Sequence, residues 1–181
     1  MDNNKRKKEV VEICLNKFIE KGLIKTSSRD LSEALNLQNA GLYYYFKSKE
    51  NVVIACCEEA VTRLEFSLII PAIVNIDSPI TMIENARTGA EKLSSLFRFY
   101  NVVCSSQEYK DKVNAIIGRS RERDKGYIKE IARKLKCNNK LAFQIYVTFK
   151  TALMHFMIYE DETYFDSQMR MIAEHIEKIL S

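Results

Sequence analysis

The chain has 181 residues, 46% hydrophobic and 29% charged, a globular balance that excludes a disordered tail and allows a sizeable core. Five Gly and only two Pro, Pro71 and Pro79 in one short stretch, favour long helices. The net charge of +4 is uneven: residues 1–51 hold ten Lys/Arg against seven Asp/Glu (+3), residues 118–136 hold eight against three (+5), and the remainder is −4.

Taken in chain order, residues 4–21 form a first helix, because Val11, Cys14, Leu15 and Phe18 recur at three- and four-residue spacing between Lys and Glu. Gly22 ends it at a C-cap. Ser27 followed by Asp30 resembles a capping box and opens a short helix over 28–35. Asn36 suits the reversal that follows, since Asn tolerates the left-handed conformation. A third helix covers 39–46, and Ser48 caps a fourth that runs to about residue 70. Residues 71–78 read as a connector between the two prolines. Beyond it, helices are predicted over 80–104, 107–117, 119–136, 140–159 and 164–180.

The fold class expected is therefore all-α: an N-terminal three-helix head (1–52) with a helix-turn-helix at about 26–46, continuous with a helical bundle body (53–181) that dimerises. With no flexible linker between them, a rigid fourth helix can carry movement of the body to the head.

In the third helix, Leu42 and Phe46 face inward, which leaves Tyr43, Tyr44 and Tyr45 to cover the other faces. Three successive Tyr cannot all be buried on so short a helix, and an outward phenol can donate to phosphate and pack on sugar or a thymine methyl. Tyr45 is the member of the trio as well suited to half-buried packing as to contact. Asn39, Ala40 and Gly41 would meet base edges, and Lys47 and Lys49 lie where charge and free backbone amides suit a phosphate. The run Leu42-Tyr43-Tyr44-Tyr45-Phe46-Lys47-Ser48-Lys49-Glu50, together with Ser28-Arg29-Asp30-Leu31-Ser32-Glu33-Ala34 and the Lys21-Gly22 helix end, resembles the tetracycline-repressor (TetR) family of regulators. The resemblance covers about residues 5–53. It implies that the third helix enters the major groove of an operator duplex. The contacts it implies come from Tyr43, Tyr44 and Lys49, with more from Ser27, Ser28 and Arg29 at the start of the second helix. Residues 36–41, Asn-Leu-Gln-Asn-Ala-Gly, depart from the usual Gly-Val-Ser-x-Gly-Thr; Gln38 is a weak helix cap there, and the operator sequence does not follow.

In the body, residues 141–159 are apolar on nearly every face, and Phe165, Met169, Ile172, Ile176 and Ile179 recur at 4-3-4-3 spacing. Such helices suit a two-fold interface, and the resemblance implies a homodimer built on the last two helices. It also implies a small-molecule effector, of identity unknown, bound in the body. Phe97, Tyr100, Cys104, Tyr146, Phe149 and Met157 are candidate ligand contacts, although an aromatic stripe at helical spacing equally describes plain core. The basic stretch 119–134 reads as a solvated face.

No metal or cofactor is expected: the five Cys have no paired metal spacing, and neither His-Glu-x-x-His nor a Gly-rich phosphate loop occurs. The Cys read as buried thiols of a reducing compartment, with nothing nearby in sequence except scattered Lys to activate one. No segment approaches about 18 uninterrupted apolar residues, and residues 2–8 are polar without the apolar run of a secretion signal, so a cytoplasmic protein without membrane contact is expected. The function predicted is a DNA-binding repressor responsive to an effector. The alternatives are a helical ligand-binding or interaction module that does not bind DNA, and an all-helical enzyme, for which the catalytic inventory is thin.

Overall fold

The computed structural model describes residues 3–37 and 39–181, with Asn3, Asn4, Asn39 and Ala40 described by backbone alone. Among the described residues the regular structure is helical: α1 (Asn3–Lys21), α2 (Ser28–Ala34), α3 (Asn39–Phe46), α4 (Lys49–Leu64), α5 (Ile70–Val74), α6 (Pro79–Ser105), α7 (Lys110–Leu135), α8 (Asn139–Tyr159) and α9 (Glu162–Leu180). The all-α expectation holds. The chain divides into two compact units, one of residues 1–62 and 98–116, the other of residues 63–97 and 117–181. The division does not follow the sequence-based boundary at residue 52. Val52, Val53, Cys56, Cys57 and Ala60 are fully buried, so the core of the first unit continues along α4.

In that first unit Val10, Cys14, Leu15 and Phe18 of α1, Leu31 of α2 and Leu42 of α3 are all but fully buried. Phe18 stacks on Phe99 of α6 with centroids 5.6 Å apart. Such a pair contributes about 0.5–1.5 kcal/mol beyond its area burial. In the second unit α8 and α9 pack together through Leu153, Phe156, Phe165, Met169, Ile172 and Ile176. Arg87 of α6 lies 5.0 Å from the Phe165 ring centroid and pairs with Asp166. Asn138 and Asp161 cap α8 and α9, their side chains accepting from the Leu141 and Tyr164 amides. Glu160 reverses the chain between the two helices at a φ of 57°.

Two expectations are corrected. Residues 71–78 are not a plain connector, because Pro71 lies in the first turn of α5. A single π-helical turn, Glu65–Ile69, joins α4 to α5, and the Ile70 amide reaches back to the Glu65 carbonyl. The widened turn offsets the register where proline has no N–H to give. Likewise α7 is one helix where two were expected, since Gly118 weakens a helix without ending it. α8 is also long and apolar enough to cross a membrane by length and composition. Here it is the core helix of its unit, and its Lys150 is paired with Asp124 at 2.8 Å.

A Cβ added at Gly118 or Gly126 meets nothing within 4 Å, whereas Gly22 ends α1 at a φ of 87°. Gly118→Ala and Gly126→Ala are expected to stabilise the protein by about 0.5–1 kcal/mol each. Gly22→Ala is expected to destabilise it by about 1 kcal/mol through left-handed strain. Urea unfolding midpoints check the opposite signs.

A helix-turn-helix head as candidate nucleic-acid interface

The interface is built from local signals outward. Ser27 is the N-cap of α2: its hydroxyl accepts from the Asp30 amide, and the Asp30 carboxylate accepts from the Ser27 amide at 2.7 Å. Lys21 at the end of α1 pairs with the same carboxylate. The Lys21 ammonium, helped by Ser27, holds the Asp30 carboxyl well below the usual range. Thr26, fully buried, donates to the Gly22 carbonyl at 2.7 Å. After α2, Asn36 turns the chain at a φ of 53°, and the Leu37 amide bonds to the Ser32 carbonyl at 2.9 Å. Start, turn and lead-in to α3 are thereby fixed in place.

The three tyrosines separate by role. The Tyr43 hydroxyl donates to the Ser28 Oγ at 2.8 Å, tying α3 to α2. Tyr45 is half-buried, with its hydroxyl accepting from Arg6 of α1, and its ring meets Tyr44 edge-on at 5.2 Å. Tyr44 is 78% exposed and points away from the head's core. Leu42 and Phe46 are buried, and the Lys7 ammonium sits 5.5 Å from the Phe46 centroid.

The other site residues have distinct settings. Ser28 is half-buried, and Arg29 pairs with Glu33 at 2.7 Å on the open surface. Such an exposed pair is weak in water, so a phosphate can displace it. Gly41 is half-buried against Leu37, 3.3 Å from where a Cβ would stand. Lys47 is exposed with a φ of 60°, and Lys49 is half-exposed in the first turn of α4. Gln38 lies outside the described residues, as do the side chains of Asn39 and Ala40.

A buttress was not legible in the sequence. The Asn51 amide group donates to the Phe46 carbonyl at 2.8 Å, which satisfies the end of α3. Its oxygen accepts from Lys112 of α7 at 2.8 Å, and Lys112 also pairs with Glu50 at 3.0 Å. An Asn in the first turn after Ser48 was the only sequence signal, and Lys112 is 61 residues further on.

Elsewhere the expected residues are scattered. Among the ligand candidates, Tyr100 and Cys104 belong to the first unit; Phe97, Tyr146, Phe149 and Met157 belong to the second, where they are buried. Tyr146 and Phe149 line an apolar cavity there, with Ile69, Ile73, Met82, Ile131 and Ile172, while Phe97 and Met157 do not. Its volume is about 10 Å³, room for roughly one water. Phe165, Met169, Ile172 and Ile176, expected at a dimer surface, are instead buried in the core of their own unit, and Ile179 alone of that set is half-exposed. The 4-3-4-3 seam of α9 is satisfied by α8 of the same chain. No group of three or more His, Cys, Asp or Glu side chains suited to a metal ion occurs among the described residues.

A short helix with an outward phenol, clamped by its neighbours and followed by lysines, is the arrangement of a helix-turn-helix head. Residues 15–56 match the family described as bacterial regulatory proteins, tetR family. Solved structures share the fold along the whole chain. A putative TetR-family regulator from Mesorhizobium loti is 16% identical with a TM-score of 0.66, over 99% of this chain and 98% of that one. The ketosteroid transcriptional regulator KstR2 of Mycobacterium tuberculosis is 15% identical, with a TM-score of 0.57 over 98% and 96%. AibR, solved with isovaleryl coenzyme A and operator DNA, is 15% identical, with a TM-score of 0.59 over 92% and 97%. A search of curated protein sequences gives no match. The chain thus matches the tetR family by sequence in its head, over residues 15–56, and shares the fold of the solved tetR-family regulators along its length.

A carboxyl held below its unfolded value stabilises the fold above the unfolded pKa of about 3.9, and that contribution is lost as pH falls through the folded value. Asp30→Asn is therefore expected to lower stability at neutral pH and to flatten the acid limb of the unfolding curve. Urea midpoints from neutral pH to about pH 2 check it; an unchanged acid limb counts against the linkage.

Proposed function

We propose that the chain is a homodimeric, cytoplasmic repressor whose hold on an operator duplex is changed by a small apolar effector. The observation that carries the DNA contact is Tyr44. Its neighbours Tyr43 and Tyr45 hold α3 to α2 and α1, while its own phenol stands open to solvent, on a helix that Lys47 and Lys49 follow in sequence. Ser27, Ser28 and Arg29 at the start of α2 add backbone contacts, and residues 38–41 meet the bases. The role is regulatory, with no catalytic step and no cofactor.

For the dimer, α8 carries an outward apolar stripe, Phe143, Val147 and Met154, and α9 adds Met171, all more than a third exposed. A second copy presenting the same stripe across a two-fold axis covers both. For the effector, the cavity by Tyr146 and Phe149 offers apolar walls; the adjoining π-helical turn, which contributes Ile69, is the element that gives way as it enlarges. AibR is a structure of this fold that holds both an acyl thioester and DNA.

Fluorescence anisotropy with duplexes from the protein's own upstream region tests the reading. Selective binding that weakens as salt rises is expected. Tyr44→Ala should cost about tenfold in affinity, and Lys49→Ala should reduce the salt slope by about one. Binding no tighter than to random duplex, there and in genome-wide selection, rejects it in favour of an interaction module. In sedimentation, Val147→Glu with Met154→Glu should give a monomer that also loses the operator; an intact dimer moves the interface elsewhere.

A further inference from the structure

The last carbonyls of α3 have no partner within the helix, and the way one of them is satisfied reaches beyond the helix-turn-helix. The Phe46 carbonyl accepts from the Ser48 amide at 2.7 Å and from the Asn51 side-chain NH2 at 2.8 Å. Between Phe46 and Ser48, Lys47 turns the chain at a φ of 60°. The Ser48 hydroxyl in turn accepts from the Asn51 backbone amide at 3.2 Å. Asn51 is therefore the residue that ties the beginning of α4 to the end of α3.

An asparagine side chain can present either its oxygen or its NH2 to a neighbour, and only the NH2 can bond to a carbonyl. Lys112 of α7 settles the choice, because its ammonium donates to the Asn51 Oδ1 at 2.8 Å. An ammonium has donors and no acceptor, so it takes the oxygen side of the amide and leaves the NH2 to Phe46. The Glu50 carboxylate holds the same ammonium at 3.0 Å. Both bonds of the ammonium are charge-assisted, which makes them the stronger kind. The beginning of α7 is anchored in turn, with Tyr109 and Val113 buried on either side of Lys112 and residues 98–116 in the same compact unit as the head.

We propose that Lys112 is a positioning residue for operator binding, which orients the Asn51 amide and so seats the last turn of the recognition helix without touching DNA itself. The proposal rests on the DNA-binding reading above. Without the ammonium the Asn51 amide is free to turn over, and the Phe46 carbonyl loses one of its two donors. The turn from Tyr43 to Phe46 then loosens, and the Tyr44 phenol within it loses its fixed place. The effect falls on the specific complex, where phenol and base-facing residues must be in register, and spares the sequence-independent attraction of charge.

The test uses the full chain with the upstream duplex and a random duplex of equal length. Lys112→Met removes the donors and keeps the stem, whereas Lys112→Arg keeps both charge and donors. Lys112→Met should bind the upstream duplex about fivefold more weakly, with its salt slope and its affinity for random duplex unchanged. Lys112→Arg should restore most of the loss. Asn51→Asp, which still accepts from Lys112 but gives nothing to Phe46, should lose as much as Lys112→Met. Lys112→Met added to Asn51→Ala should cost nothing further, because the two act through one contact. In the free protein, exchange of the Lys47 and Ser48 amides should quicken in Lys112→Met. Thermal melts show that each variant is folded where affinity is read. Unchanged affinity in Lys112→Met overturns the proposal, even if its melting temperature falls. A salt slope smaller by about one, with equal loss on random duplex, makes Lys112 a phosphate contact and overturns it as well. Additive losses in the double variant do the same. A wild-type protein that binds no duplex defeats the functional reading instead, and amide exchange then decides by itself whether Lys112 seats α3.

Discussion

An eight-residue helix cannot hold its own shape in water, because helix nucleation costs more than two turns return. Everything the head does rests on how its neighbours clamp α3. Tyr43 bonds to Ser28, Arg6 reaches Tyr45, Leu42 and Phe46 are buried, and Asn51 satisfies the last carbonyl. Each clamp uses one face of the helix, and Tyr44 is left on the remaining face. The exposed phenol is a consequence of the other sides being occupied.

The clamps are themselves anchored by caps. Ser27 and Asp30 fix the beginning of α2, from which Ser28 reaches Tyr43, and Lys21 joins that cap to the end of α1. Lys112 holds Asn51 and Glu50 at the beginning of α4. Polar groups at the helix ends thus do in the head what apolar packing does in its centre. They set direction where burial alone leaves a short helix free to rotate.

The second unit follows a different logic. Its two longest apolar surfaces, on α8 and α9, face each other, and the residues best spaced for a seam are used within the chain. Phe143, Val147 and Met154 remain outside, on the opposite side of α8 from Ile145, Phe149 and Phe156. A helix apolar all round needs two partners, and α9 supplies the first.

The sequence by itself determined the all-helical fold, the head and most of its punctuation. Those signals are local: Ser27 with Asp30, Gly22 after Lys21, Asn36 at the turn and Ser48 before α4 each act over three or four residues. The TetR resemblance lay in the same short run. Only the tertiary structure decided which tyrosine stands outward and that α9's seam is spent on α8. It also decided that Pro71 begins a helix behind a π-helical turn and that α7 passes Gly118 unbroken. Periodicity reveals that a face is apolar and never what covers it. Partners 15 to 61 residues away, as with Tyr43 and Ser28 or Lys112 and Asn51, are fixed by packing that no local pattern encodes.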